Sequence, residues 1–191
     1  MNKVHLCIIL FGLLILSNQL KAQQYVEANF YSDNYSSPGM SLIYGYIFKP
    51  CQKEKKDRTI YKSYSAGLRV AFYNRVNNHI AYIFSPFICY QKAFNSGIIF
   101  QPELGIGYLF KKNSIPTFEY IDNEVKELNS SGNNRFLPSL SLGVGYNFDK
   151  RINLPIQVHF RPGLSIETPN NTSSLIHFQF EIGVTYIFVK K

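Results

Sequence analysis

With 191 residues the chain has room for one domain, and its 20 Lys+Arg against 12 Asp+Glu give a formal net charge of +8. A basic balance points to nucleic acid or anionic lipid, but the sequence holds no zinc-ligand spacing, RNA-binding aromatic signature or phosphate loop, so nucleic acid is set aside. No apolar run reaches the roughly 20 residues of a transmembrane helix, so membrane residence has to come from strands.

The chain opens with Asn2-Lys3, an apolar run from Val4 to Leu16, and then Ser17-Asn18-Gln19-Leu20-Lys21-Ala22. A short basic start, a short apolar core and a small residue before Gln23 predict a secretory signal peptide over 1–22, although Leu20 is bulky for its position. Cys7 lies inside the apolar run rather than behind a lipobox, which argues against a lipoprotein. The mature part, 23–191, is expected to be a single domain in an oxidising compartment, where one disulfide between Cys51 and Cys89 is left open.

Behind Gln23 the side chains alternate between apolar and polar with period two, the signature of strands rather than helices. Eight strands are predicted: Tyr25 to Tyr31, Met40 to Phe48, Tyr61 to Tyr73, His79 to Gln91, Gly97 to Lys111, Arg135 to Asn147, Ile152 to Glu167 and Ile176 to Phe188. In each the apolar face falls on even numbers. The last is the clearest: Ile176, Phe178, Phe180, Ile182, Val184, Tyr186 and Phe188 face one way, and His177, Gln179, Glu181, Gly183 and Thr185 the other. Its length matches the 9–11 tilted residues that cross a bilayer.

Two proteins alternate in this way. A soluble lipocalin-like barrel keeps its apolar face inside; an outer-membrane barrel turns that face to lipid and encloses a polar interior. The odd face carries Gly97, Gln101, Glu103, Gly105 and Gly107 in the fifth strand, and Ser139, Ser141, Gly143, Gly145 and Asn147 in the sixth. Small residues suit the narrow interior of an eight-stranded barrel, whereas a soluble exterior would carry many Lys and Glu. The even-face Phe, Tyr and Ile are too many and too large to fill so narrow a lumen. Membrane residence is the expectation, with a soluble lipocalin-like binder as the alternative.

Phe48, Phe110, Tyr146, Phe148, Tyr186 and Phe188 lie near strand ends, as interfacial girdles require. An even strand number puts both termini in the periplasm with short turns there, such as Asn95-Ser96 and Asp149-Lys150-Arg151. Ser32–Gly39, Lys112–Asn134 and Thr168–Ser173 become outward loops. The basic stretch Pro50–Thr59 does not fit, because a tight periplasmic turn is expected there. Either that turn is long or the first two strands are misplaced. Six cations, Lys49, Lys53, Lys55, Lys56, Arg58 and Lys62, cluster around it; a solvated loop or contact with phosphorylated lipid headgroups would explain them. Pro86, Pro102, Pro138, Pro155 and Pro162 should interrupt ladder bonding, with bulges to absorb them.

The odd face also gathers Glu27, Arg69, Gln101, Glu103, Gln157, His159, Arg161, His177, Gln179 and Glu181. Charges of both signs inside a narrow barrel must pair, because an unpaired buried ion costs several kcal/mol. A structural lumen network is expected, with a gated pathway as the alternative. Two histidines are too few for a metal site, and no cofactor is expected. Barrel-type lipid hydrolases place Ser two residues after the catalytic His, whereas His159 precedes Phe160-Arg161 and His177 precedes Phe178-Gln179. No catalytic residue is therefore assigned, and a membrane lipid hydrolase is kept only as a remote alternative.

The exported start ending Lys21-Ala22-Gln23, the eight alternating segments, the strand Leu140-Ser141-Leu142-Gly143-Val144-Gly145-Tyr146-Asn147-Phe148 and the terminal Phe188 together resemble small outer-membrane β-barrel proteins. More narrowly, they resemble the porin-like "outer membrane protein β-barrel domain" family common in Bacteroidetes. The resemblance implies an all-β, eight-stranded antiparallel up-and-down transmembrane barrel in the outer membrane of a Gram-negative bacterium. It also implies outer-membrane lipid and the barrel-assembly machinery as partners, with Ile182, Val184, Tyr186 and Phe188 in the terminal strand as the assembly signal. The Val189-Lys190-Lys191 tail and the Pro50–Thr59 segment depart from the pattern. A non-enzymatic envelope, anchoring or surface-interaction protein is the leading expectation, and a narrow porin-like channel the runner-up.

Overall fold

The computed structural model describes residues 23–188 except 35, 56–57, 77, 114–116, 122–123, 129–132 and 171–172. The expected signal peptide and the Val189-Lys190-Lys191 tail lie outside the described residues. Eight long strands are β1 (Gln23–Asp33), β2 (Ser37–Lys55), β3 (Arg58–Arg75), β4 (His79–Phe94), β5 (Ile98–Asn113), β8 (Asn133–Asn147), β9 (Ile156–Asn170) and β10 (Ser173–Ile187). A short pair, β6 (Thr117–Ile121) and β7 (Glu124–Leu128), forms its own hairpin between β5 and β8, and the single turn α1 (Asp149–Ile152) precedes β9.

The long strands close into one antiparallel barrel in chain order, with β1 beside β10. Closure matters because each strand then finds backbone partners on both sides and no edge is left open. Along the seam Val26 pairs with Tyr186, Ala28 with Val184 and Phe30 with Ile182, and the Phe188 N–H donates to the Gln24 carbonyl at 2.9 Å. The β1–β2, β3–β4, β5–β8 and β9–β10 connections share one end, here the loop end. Gln23, Ile187 and the other three connections share the opposite, terminal end.

The parity expected from the sequence holds around the barrel. Even-numbered Phe30, Leu42, Val70, Phe84, Leu104, Leu140, Phe160 and Ile182 point outward and are about half exposed, while odd-numbered Tyr31, Ile43, Ala71, Ile83, Glu103, Arg161 and Glu181 are buried inside. Aromatic pairs ring the terminal end of the outer wall, including Tyr146–Phe148 at 5.0 Å and Tyr186–Phe188 at 5.2 Å between centroids.

Several expectations change. Pro50–Thr59 is neither a long turn nor a sign of misplaced strands: β2 continues to Lys55 and β3 begins at Arg58. One register shift, between Phe48 and Cys51, accommodates Pro50, which has no N–H to give the ladder. The seventh strand does not start at Ile152. Ile152 and Leu154 mimic strand alternation, but α1 ends on Asn153 in the left-handed region (φ 51°), and the ladder starts after Pro155. Gly97 adopts φ 93° in the β4–β5 turn, so the fifth strand begins at Ile98. The outward segment Lys112–Asn134 contains the β6–β7 hairpin, whose five-residue strands are too short to stand out by period. Cys89 is a buried free thiol, so it forms no disulfide with Cys51.

Pro86, Pro102, Pro138 and Pro162 need no bulges. Each keeps its pair on one side: Pro86 with Leu68, Pro102 with Leu142, Pro138 with Ile106 and Pro162 with Phe180. On the other side the pairing drops out and resumes in unchanged register, as from Phe84–Tyr108 to Phe87–Gly105 beside Pro86. A strand residue presents its N–H to one neighbour only, so a missing donor removes a rung without sliding the strand.

Candidate functional site: the ion-paired lumen

The inward side chains of β1 sample the lumen from the terminal end upward: Tyr25, Glu27, Asn29, Tyr31, Asp33. They mark four layers, Glu27 and Asn29 sharing one, and the layers alternate in character.

Tyr25 packs with Ile43, Phe87 and Cys89, flanked by Ile47 and Ile187. Above it lies the central ionic network. Arg161 Nη1 is 2.9 Å from Glu27 Oε1 and 2.8 Å from Glu181 Oε2, and its Nη2 donates to Glu27 Oε2 at 3.2 Å. Arg69 Nη2 donates to Glu103 Oε1 at 2.7 Å, and its Nε lies 3.0 Å from Glu181 Oε1. Glu181 thus bridges the two guanidiniums, and Arg161 Nη1 sits 3.8 Å from Glu103 as well. These five side chains come from β1, β3, β5, β9 and β10, so the cluster ties non-adjacent strands across the barrel axis. None is more than 7% exposed.

Neutral side chains add hydrogen bonds to Glu27 and Glu181, while the buried Glu103 Oε2 has none. Asn29 Nδ2 donates to Glu27 Oε1 and Ser41 Oγ, both at 2.9 Å, and Ser41 Oγ donates to Glu181 Oε1 at 2.7 Å. Thr185 Oγ1 donates to Glu27 Oε2 at 3.2 Å. His159 Nε2 lies 3.1 Å from both Glu27 Oε1 and Asn29 Oδ1, and its Nδ1 faces Thr185 Oγ1 at 3.5 Å. Its imidazole has room because its rung neighbours on both sides are glycines, Gly145 and Gly183. A Cβ on Gly183 would overlap the Asn29 amide.

The next layer is apolar and aromatic: Tyr31, Ala71, Tyr73, Ala81, Ile83, Leu109 and Leu137. The Tyr31 and Tyr73 rings stack 6.1 Å apart, and Tyr31 donates its hydroxyl to Gln179 Oε1 at 2.8 Å. At the loop end a second ionic network caps this layer. His177 Nδ1 is 3.0 Å from both Asp33 oxygens and its Nε2 is 2.9 Å from Glu167 Oε2. The ring serves both carboxylates at once only with a proton on each nitrogen. Lys111 Nζ reaches Glu167 Oε2 at 2.5 Å, and Arg135 Nε lies 3.5 Å from Glu167 Oε1.

The structure brings together Glu27, Arg69, Glu103, His159, Arg161 and Glu181 from the sequence-predicted set. His177 belongs to the separate loop-end network. Gln101, Gln157 and Gln179 face inward but stand outside the ion pairs; Gln101 Nε2 donates to Gln91 Oε1 at 3.2 Å. Asn29, Asp33, Ser41, Lys111, Arg135 and Glu167 escaped the sequence reading of the lumen network, and Thr185 was read only as an inward residue. All are odd-numbered, so applying the same parity to every polar residue of the strands, ends included, would have found them.

Ser165 stands opposite His177 in register and its buried Oγ lacks a hydrogen-bond partner, which invites a nucleophile–base reading. However, both ring nitrogens of His177 are engaged by carboxylates, and those of His159 face Glu27, Asn29 and Thr185. With both nitrogens on carboxylates, His177 has none free to take the Ser165 proton, as nucleophilic catalysis would need. Among the described residues no group of three or more His, Cys, Asp or Glu is arranged to hold a metal. A vestibule of about 150 Å³ opens at the terminal end, lined by Gln23, Tyr61, Gln91, Gln157 and Ile187. Beyond it, beneath Glu103 and Arg161, the space shrinks to about 10 Å³, at the lower limit for one water molecule.

No family model matches this chain, and no curated protein matches it either. Among solved structures it is similar to the N-terminal β-barrel domain of Pseudomonas aeruginosa OprF, at 14% identity and a TM-score of 0.45 over 88% of this chain and 100% of that one. It is similar to the outer membrane enzyme PagL at 15% identity and a TM-score of 0.42, covering 85% of this chain and 98% of that one. Neisserial surface protein A is similar at 15% identity and a TM-score of 0.41, over 87% and 96% of the two chains.

Proposed function

We propose that this chain is an integral outer-membrane barrel of a Gram-negative bacterium, of the kind its sequence resembles, with a lumen sealed by structural ion pairs. The observation that carries the reading is the inversion of the two faces: half-exposed Phe, Leu, Ile and Tyr cover the outside, and five interlocked charged residues fill the centre. Water would punish that outer wall, whereas lipid favours it. Its job is non-enzymatic, in envelope support, anchoring or contact with an external partner through the loop end. The engagement of both histidines by carboxylates, Asn29 and Thr185 supports the non-enzymatic part. Outer-membrane lipid and the barrel-assembly machinery are its proposed partners, the latter reading the terminal strand.

Planar-bilayer conductance of the purified mature chain tests the sealed lumen. The expected trace is flat, because the central cluster and the Tyr31–Tyr73 layer leave no wet path. Steady ion-selective steps would replace this reading with a narrow solute channel. A chain that is monomeric in water without detergent would replace it with a lipocalin-like binder.

A further inference from the structure

At the terminal end of β2, β3 and β4 the outer wall changes from aromatic to basic within one rung. Phe48, Tyr64 and Tyr90 share an outward rung, with the two tyrosine rings 5.3 Å apart. On the next outward rung Lys62 stands directly across from Lys92, whose Nζ lies 4.8 Å from the Phe94 ring centroid. Like charges directly opposite one another on a strand pair repel. Among the described residues neither lysine has a carboxylate partner.

The bulge between Phe48 and Cys51 decides which residues of β2 share these rungs. Because it inserts one residue, Cys51 pairs with Lys62, Lys53 with Ile60 and Lys55 with Arg58. In unbroken register Gln52 and Glu54 would stand opposite Ile60 and Arg58. The bulge therefore exchanges a glutamine and a glutamate for two lysines on the rungs of Ile60 and Arg58, beside the rung that holds Lys62 and Lys92. Immediately above them, on the same wall, lies an apolar groove of about 400 Å³ lined by Phe48, Tyr64, Ile88, Tyr90, Pro102 and Leu104. The groove borders the rung that Pro102 removes from the β4–β5 ladder.

We propose that this face binds an anionic phospholipid, its phosphate on Lys62 and Lys92 and an acyl chain in the groove. The inference rests on the membrane reading above. A charged surface flush with an apolar groove, just beyond the aromatic rung, suits a molecule with an anionic head and an apolar tail. A soluble polyanion would use the charge and leave the groove empty.

The test is electron spin resonance of the mature chain folded into phosphatidylcholine bilayers, with trace spin-labelled phosphatidylglycerol or phosphatidylcholine as the probe. Flotation with neutral vesicles comes first: a chain that never enters them defeats the membrane reading itself, and this one with it. For an inserted chain, the immobilised fraction should favour phosphatidylglycerol by about fivefold or more. Lys62→Gln/Lys92→Gln should bring the ratio toward one, while Arg75→Gln/Lys112→Gln at the loop end leaves it unchanged. Should the lysine variant fail to fold, sodium chloride titration of the wild type gives the same decision: the preference must fade as salt rises. Inorganic phosphate at matched ionic strength should weaken the preference no more than chloride does. Equal retention of the two lipids in an inserted chain overturns the proposal. Selective loss to inorganic phosphate, or pelleting with insoluble peptidoglycan in place of any lipid preference, overturns it as well.

Discussion

Arg161→Met removes the guanidinium that holds Glu27 by two contacts, at 2.9 and 3.2 Å, and Glu181 by one at 2.8 Å. Methionine fills much of the same volume, so the loss is electrical rather than steric. Glu181 keeps Arg69 at 3.0 Å, but Glu27 falls back on Asn29, Thr185 and His159. Breaking a buried pair from one side costs about 3–5 kcal/mol because a charge is left uncompensated. Glu27→Gln alone should cost less, since Arg161 still has Glu181. The double variant Arg161→Met/Glu27→Gln should be more stable than the sum of the two losses, with a coupling of more than about 1.5 kcal/mol, as for other close charge pairs. The assay is urea-dependent folding into lipid vesicles, read by far-ultraviolet circular dichroism and the heat-modifiable gel shift, because the chain has no tryptophan to follow. An Arg161→Met chain within about 1 kcal/mol of wild type, or strictly additive single losses, would refute the view that the central cluster holds the strands together.

Other perturbations probe the two faces and the seam. Ile182 is 54% exposed on the outer wall and Glu181 3% inside; Ile182→Arg should cost about 2–4 kcal/mol if it meets the bilayer midplane, and a variant that folds as well as wild type in the same urea assay would turn the barrel inside out. Gly183→Ala should displace the Asn29 side chain from Glu27 and Ser41 at a cost of about 1–3 kcal/mol, measured as a shifted urea midpoint with an unchanged slope. Deleting Tyr186–Lys191 removes the Tyr186 rungs to Val26 and Ile156 and the Phe188 bond to Gln24, so the product should be exported but protease-sensitive, and normal surface assembly would contradict that. In a Cys51→Ser background Cys89, 6% exposed in the lumen, should resist a membrane-permeant maleimide until the barrel is unfolded; rapid labelling of that folded variant would mean the lumen opens.

Period-two alternation was enough to read the barrel because both of its faces are chemically committed. Phe160 and Arg161 cannot exchange environments without taking a guanidinium from Glu27 and Glu181 and moving a charge onto the apolar outer wall, so parity carries through the long strands except beyond the β2 bulge, where Cys51 pairs with Lys62. The same logic placed Glu27, Arg69, Glu103, Arg161 and Glu181 inside before any coordinates. It could not say which carboxylate meets which guanidinium. That depends on the stagger of β1, β3, β5, β9 and β10 around the axis, which no single strand encodes. Nor could it separate the lumen into layers: Tyr31 and Asp33 sit two residues apart, yet one belongs to an aromatic plug and the other to the loop-end network. Ile152 and Leu154 imitated a strand because alternation is blind to a one-turn helix ended by Asn153. The β2 bulge was hidden for the opposite reason. Pro50 signalled trouble in the pattern, but only pairing against β3 shows that the trouble is one inserted residue that carries Lys53 and Lys55 onto the rungs of Ile60 and Arg58.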